Sequence, residues 1–208
     1  MTKSELAQKL IMVRTIQKNL VISLLSNSFA DSHRIISMLR SARRKHLLNF
    51  FNYIYVFVEQ FGQIFISQNQ STVLLYFQYG KRGSNLKTLY AKAKLLLFSL
   101  SVKNLVGTLK FNAFITRTRT KAAHAMGDSD YIYVWFLAGK EQARSYSGLY
   151  EAMEYLKLQY HFNGVPIYIE TVVPRMVAIY QRAGFKFYAQ EAYGNQLIWF
   201  AKYEGYGK

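Results

Sequence analysis

Two hydrophobic rhythms run through the second half of the chain. Tyr131 to Gly139 reads YIYVWFLAG, without a single charge, and predicts a strand buried on both faces. VPIYIET, ending at Thr171, predicts another buried strand. Between them YSGLYEAMEYLKLQYHF predicts a helix that stops at Asn163-Gly164. PRMVAIYQRAGF, Pro174 to Phe185, then predicts a short, well-punctuated helix. Pro174 suits a first turn, where its missing N–H costs nothing, and Gly184 suits the left-handed position that closes the helix. Met176, Tyr180 and Ala183 fall at i, i+4 and i+7 and so share a face. From spacing alone that face is a core-packing stripe. FKFYAQEAY, the turn GN and QLIWFAKY predict a terminal hairpin. The order strand, helix, strand, helix, strand, strand predicts a mixed α/β (α+β) sheet covered by helices.

The first half is more helical. LIMVRT (Leu10–Thr15) predicts a short strand, with Thr15 able to cap the next helix. That helix is predicted over IQKNLVISLLSNSF, with the stripe Leu20, Leu24, Phe29. DSHRIISMLRSARRKHLLNFFNYIYVFVEQF continues as one or two helices, basic on one side and aromatic on the other. GQIFISQ and STVLLYF predict a hairpin around the polar NQ. SNLKTLYAKAKLLLFSL and VKNLVGTLKFNAFITRTRTKAAHAM predict helices rich in Lys and Leu, before the turn GDSD. No repeat, low-complexity run or Pro/Gly linker divides the chain, so residues 1–208 are expected to form a single domain.

Composition changes this picture in three ways. At 208 residues, 51% hydrophobic and 16% aromatic, the chain has the means to bury a substantial core. With no cysteine, disulfides, thiol nucleophiles and thiolate-bound zinc are excluded, in keeping with a reducing, cytoplasmic setting. The N-terminal MTKSELAQKL shows no secretory pattern, and LLNFFNYIYVFV (Leu47–Val58) is too short to span a membrane. A soluble protein without a transmembrane segment is expected. The formal net charge of +16 attracts polyanions, with clusters at RSARRKH (Arg40–His46) and RTRTK (Arg117–Lys121). Each cluster reads as a solvated helix face.

His33, His46, His124 and His161 are scattered, with no HExxH, so no metal site is expected. Nor is there a GxSxG elbow, a GxxxxGK[ST] loop or a GxGxxG after a strand. Hydrolase, nucleotide-triphosphatase and dehydrogenase chemistry lose their usual support.

The succession YVWFLAG, RSYSGLYEAMEYL, VPIYIET, PRMVAIYQRAGF resembles the GCN5-related N-acetyltransferase (GNAT) superfamily. The likeness extends upstream through NSFADS, the hairpin GQIFIS…STVLLYF and the Lys/Leu-rich helices, and it is strongest over residues 166 to 185. It implies a largely antiparallel central sheet with a splay between two central strands, flanked by helices. Residues 1–125 would form the acceptor side and residues 126–208 the cofactor-binding half. Leu137, Ala138 and Gly139 would match the strand whose open backbone binds the pantetheine arm of acetyl-CoA. The pyrophosphate loop, a helix N-terminus in this family, would fall on Arg144, Ser145, Tyr146, Ser147, Gly148 and Leu149. Leu149 departs from the family pattern, which has Gly or Ala there, while Gly148 lies one place earlier. Met176 stands where the family often has an asparagine touching the cofactor arm.

Tyr180 matches the tyrosine that in many GNAT enzymes protonates the departing thiolate. The resemblance implies direct attack of an amine on the thioester of an acyl-CoA, acetyl-CoA above all, without a covalent enzyme intermediate. Glu170 is the best-placed candidate base; Glu59 and Asp130 are alternatives that read better as surface carboxylates, and water can also relay the proton. The acceptor is an amine whose identity the chain does not spell out, and a homodimer is compatible with the family. A second reading rests on the +16 charge and the irregular loop: a catalytically inactive GNAT-like protein binding nucleic acid or another polyanion. No RNP motif, zinc finger or helix-turn-helix supports specific nucleic-acid binding. Membrane-surface association through the basic-aromatic helix at 40–58 ranks third.

Overall fold

The structure is a computed structural model that describes residues 17–39, 43–79, 102–140 and 147–205. The expected strand at Leu10–Thr15 and the first Lys/Leu-rich helix lie outside these residues.

Helices come first: α1 (17–28), α2 (His33–Met38) and α3 (Arg44–Phe61). Ser32 caps α2 by accepting the Ile35 N–H. The long basic-aromatic segment is therefore two helices. Arg43, Arg44 and Lys45 are exposed, as a solvated face should be, while Phe50, Phe51, Ile54, Tyr55 and Val58 are buried. Strands β1 (Gln63–Ile66) and β2 (Thr72–Tyr79) form the expected hairpin. Helix α4 (Val102–Ala125) leads through a turn into β3 (Tyr131–Gly139). Then come α5 (Ser147–Asn163), β4 (Ile167–Thr171), α6 (Pro174–Arg182), β5 (Lys186–Tyr193) and β6 (Gln196–Tyr203).

The six strands make one sheet in the order β1-β2-β3-β4-β6-β5. Every neighbouring pair is antiparallel except β3–β4. The terminal hairpin inserts its second strand against β4 and leaves β5 at the edge. Alternating side chains then feed two cores. On one face Val73, Leu75, Phe77, Tyr131 and Tyr133 meet α1 to α3. On the other, Leu74, Ile132, Val134, Ile167 and Ile169 meet Ala152, Met153 and Leu156 of α5 and Tyr180 of α6. Phe111 and Ile115 bring α4 onto Ile198 and Phe200 of β6.

Candidate functional site

Parallel strands β3 and β4 are in register at only two pairs, Ile132–Ile167 and Tyr133–Tyr168. Past Tyr133 the strands part. The departure coincides with a bulge on β3. Leu75 faces Phe136 and Tyr76 faces Val134, so Trp135 is the extra residue. A bulge bends its strand and re-aims the side chains beyond it, and here Trp135 and Phe136 both pack toward α1 to α3. The burial of β3 changes at the same place, from four buried residues to the half-buried run Trp135–Leu137. The strand expected to be buried on both faces is so only along its first half.

A cavity of about 300 Å³ occupies the opening. Tyr133 to Leu137 line it from β3, Ile169 to Val173 from β4 and the turn after it, and Met176 and Tyr180 from α6. Thr108, Phe111, Asn112 and Ile115 of α4 close it, together with Phe29 after α1 and apolar residues of α2 and α3. Among the described lining residues Glu170 is the one charged side chain.

The Tyr133 hydroxyl donates a hydrogen bond to Glu170 Oε1. Behind it lies Arg119 of α4, only 2% exposed, with Nη1 3.7 Å from Glu170 Oε2. Its guanidinium stacks 3.6 Å from the Tyr133 ring centroid, with the Tyr79 and Tyr131 rings at 5.4 and 6.0 Å. Burial works against the charge of Arg119, but Tyr133, Glu170 and Tyr79 outweigh it and raise its pKa further. Burial first, and then the charge of Glu170, push the Tyr133 phenol well above its ordinary range, with Arg119 opposing. The reading of RTRTK as wholly solvated is corrected here. Arg117 and Lys121 are exposed, but Arg119 continues the buried stripe of Phe111 and Ile115 at i+8 and i+4.

Tyr180 sits on α6, which forms as its punctuation predicts. Pro174 opens it after the extended residue Val173. Gly184, at φ +92°, closes it. Phe185 N–H donates to Tyr180 C=O at 2.9 Å and Gly184 N–H to Gln181 C=O at 2.9 Å, the paired bonds of a Schellman closure. The Met176–Tyr180–Ala183 face is both core and cavity wall, with Tyr180 at 4% exposure. Burial, and secondarily the charge of Glu170, hold the Tyr180 pKa far above the ordinary 10.0.

The residues predicted from sequence thus fall into three groups. Leu137, Glu170, Met176 and Tyr180 line one cavity. Ala138 turns its side chain into the core beside α1 to α3, and the Gly139 carbonyl accepts a 2.6 Å bond from Ser28 Oγ. Ser147, Gly148 and Leu149 open α5; Arg144, Ser145 and Tyr146 lie outside the described residues. Gly148 is a point of close approach. A Cβ there would stand 2.3 Å from Ser71 Oγ and 2.6 Å from Thr72 Oγ1. The same turn of the β1–β2 hairpin sends Asn69 Nδ2 to Ser147 Oγ at 3.0 Å and the Gln68 N–H to Glu151 Oε1 at 2.9 Å. Glu59 is exposed and accepts from the Tyr55 hydroxyl, and neither it nor Asp130 lines the cavity. No cluster of metal-ligating side chains occurs among the described residues, and no described helix is long and apolar enough to cross a membrane.

Sequence reasoning missed Arg119 and the α4 wall. The signal was present: Thr108, Phe111, Ile115 and Arg119 recur at helical spacing, with a cation where an apolar residue is due.

This sheet, parallel only at its opened centre and covered by helices on both faces, is the fold of the GCN5-related N-acetyltransferases. Solved structures carry that assignment. A polyamine N-acetyltransferase of Drosophila melanogaster, which catalyses formation of N-acetylagmatine, aligns over 90% of this chain and 95% of its own at TM-score 0.58 and 8% identity. A putative arylalkylamine N-acetyltransferase 7 of Aedes aegypti aligns over 90% and 83% at TM-score 0.61 and 9% identity. A mosquito arylalkylamine N-acetyltransferase-like protein 5b aligns over 90% and 94% at TM-score 0.60 and 14% identity. No protein-family model and no curated protein sequence matches the chain.

Proposed function

We propose that this protein is an N-acyltransferase that moves an acetyl group from acetyl-CoA to a primary amine. The observation that carries the reading is the cavity at the β3–β4 splay, where Leu137, Glu170, Met176 and Tyr180 meet. In this reading residues 1–125 build the acceptor side and residues 126–208 the acyl-CoA side of one domain. The parted strand offers the Leu137 N–H and C=O and the Gly139 N–H for the cofactor arm, whereas the Ala138 backbone groups face Val73 in the ladder with β2. The start of α5 at Ser147–Leu149 would take the pyrophosphate; Arg144, Ser145 and Tyr146, assigned to the same loop from the sequence, lie outside the described residues.

The cofactor supplies an activated thioester carbonyl. The amine nitrogen attacks that carbon, the C–S bond breaks, and the sulfur takes a proton from Tyr180. The proton lost by the acceptor ammonium goes to Glu170, directly or through water. The raised pKa of Tyr180 keeps its proton in place at neutral pH but weakens it as an acid. Transfer therefore depends on the thiolate forming in the same water-poor cavity, where burial raises its proton affinity as well.

The lining also selects the acceptor. Mostly apolar walls, with neutral Ser32, Thr108, Asn112 and Thr171 and one carboxylate among the described residues, suit an amine with a single ammonium on an apolar body. Two of the neighbours above are named for arylalkylamines, which fit that description. A polyamine such as the Drosophila enzyme handles would bring a second cation to a wall with no second carboxylate among the described residues.

The test is calorimetric titration with acetyl-CoA, followed by thiol release with phenethylamine and with spermidine. Binding, a raised melting temperature and preferential turnover of phenethylamine are expected. Absence of binding at millimolar acetyl-CoA, with tight nucleic-acid binding at physiological salt, would replace this reading with the polyanion-binding one.

A further inference from the structure

We propose that Arg119 is a positioning residue: from behind the cavity wall it supplies the positive charge that lets the half-buried Glu170 carboxylate, its Oε2 enclosed, face the acceptor. The proposal deepens the acyltransferase reading and rests on it for the identity of the acceptor. Its geometry stands independently.

Arg119 is a costly residue at its position. It is almost fully buried, on the helical stripe that Phe111 and Ile115 fill with apolar side chains. Its Nε and Nη1 donate no hydrogen bond among the described residues. An apolar residue of similar size would pack there at least as well. What Arg119 provides instead is charge, directed at one carboxylate.

The arrangement is specific in a second respect. At 3.7 Å, the Nη1–Oε2 separation exceeds hydrogen-bond length, so the pair is electrostatic. Tyr133 joins the two groups, since its ring carries the guanidinium and its hydroxyl donates to Oε1. A carboxylate clasped bidentately by arginine would have its lone pairs spent. Held at this distance, Glu170 is fixed in orientation and keeps its role as the one charged group among the described residues lining the cavity.

The surrounding groups define what happens when the cation is removed. Tyr79 on β2, Tyr131 and Tyr133 on β3, Tyr180 on α6 and Tyr188 on β5 face the pair. All are phenols, which carry no positive charge in any protonation state, so none replaces the charge of Arg119. Without it, burial drives Glu170 toward its neutral acid, which no longer attracts an ammonium.

The experiment compares wild type with Arg119→Met, Arg119→Lys and Arg119→Gln, using protein labelled with carbon-13 at the glutamate side-chain carboxyl. The Glu170 resonance is identified by its loss in Glu170→Gln. In wild type and Arg119→Lys it is expected to remain ionised down to acid pH. In Arg119→Met its titration midpoint should rise by at least one pH unit. Arg119→Gln serves in its place if the methionine variant does not fold. An unchanged midpoint in a folded, uncharged variant overturns the proposal whether or not the protein is an acyltransferase. With phenethylamine as acceptor, the uncharged variants should lose tenfold or more in kcat/KM at neutral pH. The loss should recover as pH rises, with acetyl-CoA affinity unchanged. A pH-independent loss shared equally by Arg119→Lys would mark a merely structural residue and overturn the assignment as well.

Discussion

Tyr180 packs in the core with Ala183 and Phe185, and the proposed function would add proton transfer to that packing; a single oxygen atom separates the two roles. Tyr180→Phe keeps the ring that the α6 core contact needs and deletes the proton. The expected result is a fall in turnover of ~10²–10⁴-fold, the scale of a lost general acid. Acetyl-CoA affinity should be retained, and the melting temperature should move by no more than a few degrees. Thiol-release kinetics beside a thermal melt check this, and full turnover in the variant would return Tyr180 to packing alone. Tyr180 was legible in the sequence because everything that orients it is local: Pro174, Gly184 and helical spacing. Arg119 was not. A charge run looks solvated until the structure shows what its helix lies against, and here α4 turns one cation of RTRTK inward and leaves Arg117 and Lys121 outside.

Among the elements, the contact between the β1–β2 turn and the start of α5 carries a sharp prediction. Ser67, Asn69 and Ser71 are bonded to one another, with Ser71 Oγ held 2.6 Å from Asn69 Oδ1. Against this network Gly148 has no room for a Cβ. Gly148→Ala gains less than the ~1 kcal/mol of an interior helix position, because Gly148 stands in the first turn of α5, and it forces Ser71 and Thr72 to move, at a cost of roughly 1–3 kcal/mol. Net destabilisation is expected, larger in Gly148→Val, and Ser71→Ala should recover part of it. Urea unfolding of the single and double variants measures this, and a stabilised Gly148→Ala would refute the close approach. The glycine was visible in the sequence, but the hydroxyls that meet it were not. They belong to a hairpin far earlier in the chain, and only its position beside β3 brings them there.

For the whole molecule, buried phenols couple stability to alkaline pH. Tyr76, Tyr133, Tyr168, Tyr180 and Tyr188 all have pKa values raised above 10.0, with burial the largest cause. Above pH 10 the unfolded chain releases phenolic protons that the native protein retains. The native state then binds more protons, and stability falls as pH rises. Their contribution is fully present below pH 10 and is lost progressively above it. Urea midpoints between about pH 8 and pH 11, read beside tyrosinate absorbance, test the sign. Tyrosinate from these residues should appear only with unfolding, and free titration of all tyrosines in the native protein would refute it.

Local decisions were written in the chain itself: which runs are strands, where α6 begins and ends, and that the terminal residues fold back as a hairpin. Periodicity, helix caps and turn residues act within a few positions, so they can be read where they work. Long-range packing set the rest: that Trp135 bulges, that β3 and β4 part after Tyr133, and that Arg119 lies behind Glu170. Each of these depends on pairing partners or packing neighbours far away in the chain. Trp135 and Phe136 are equally apolar, so no pattern marks the bulge before β2 fixes the register. The cavity exists because that register cannot be continued on both sides of β3 at once.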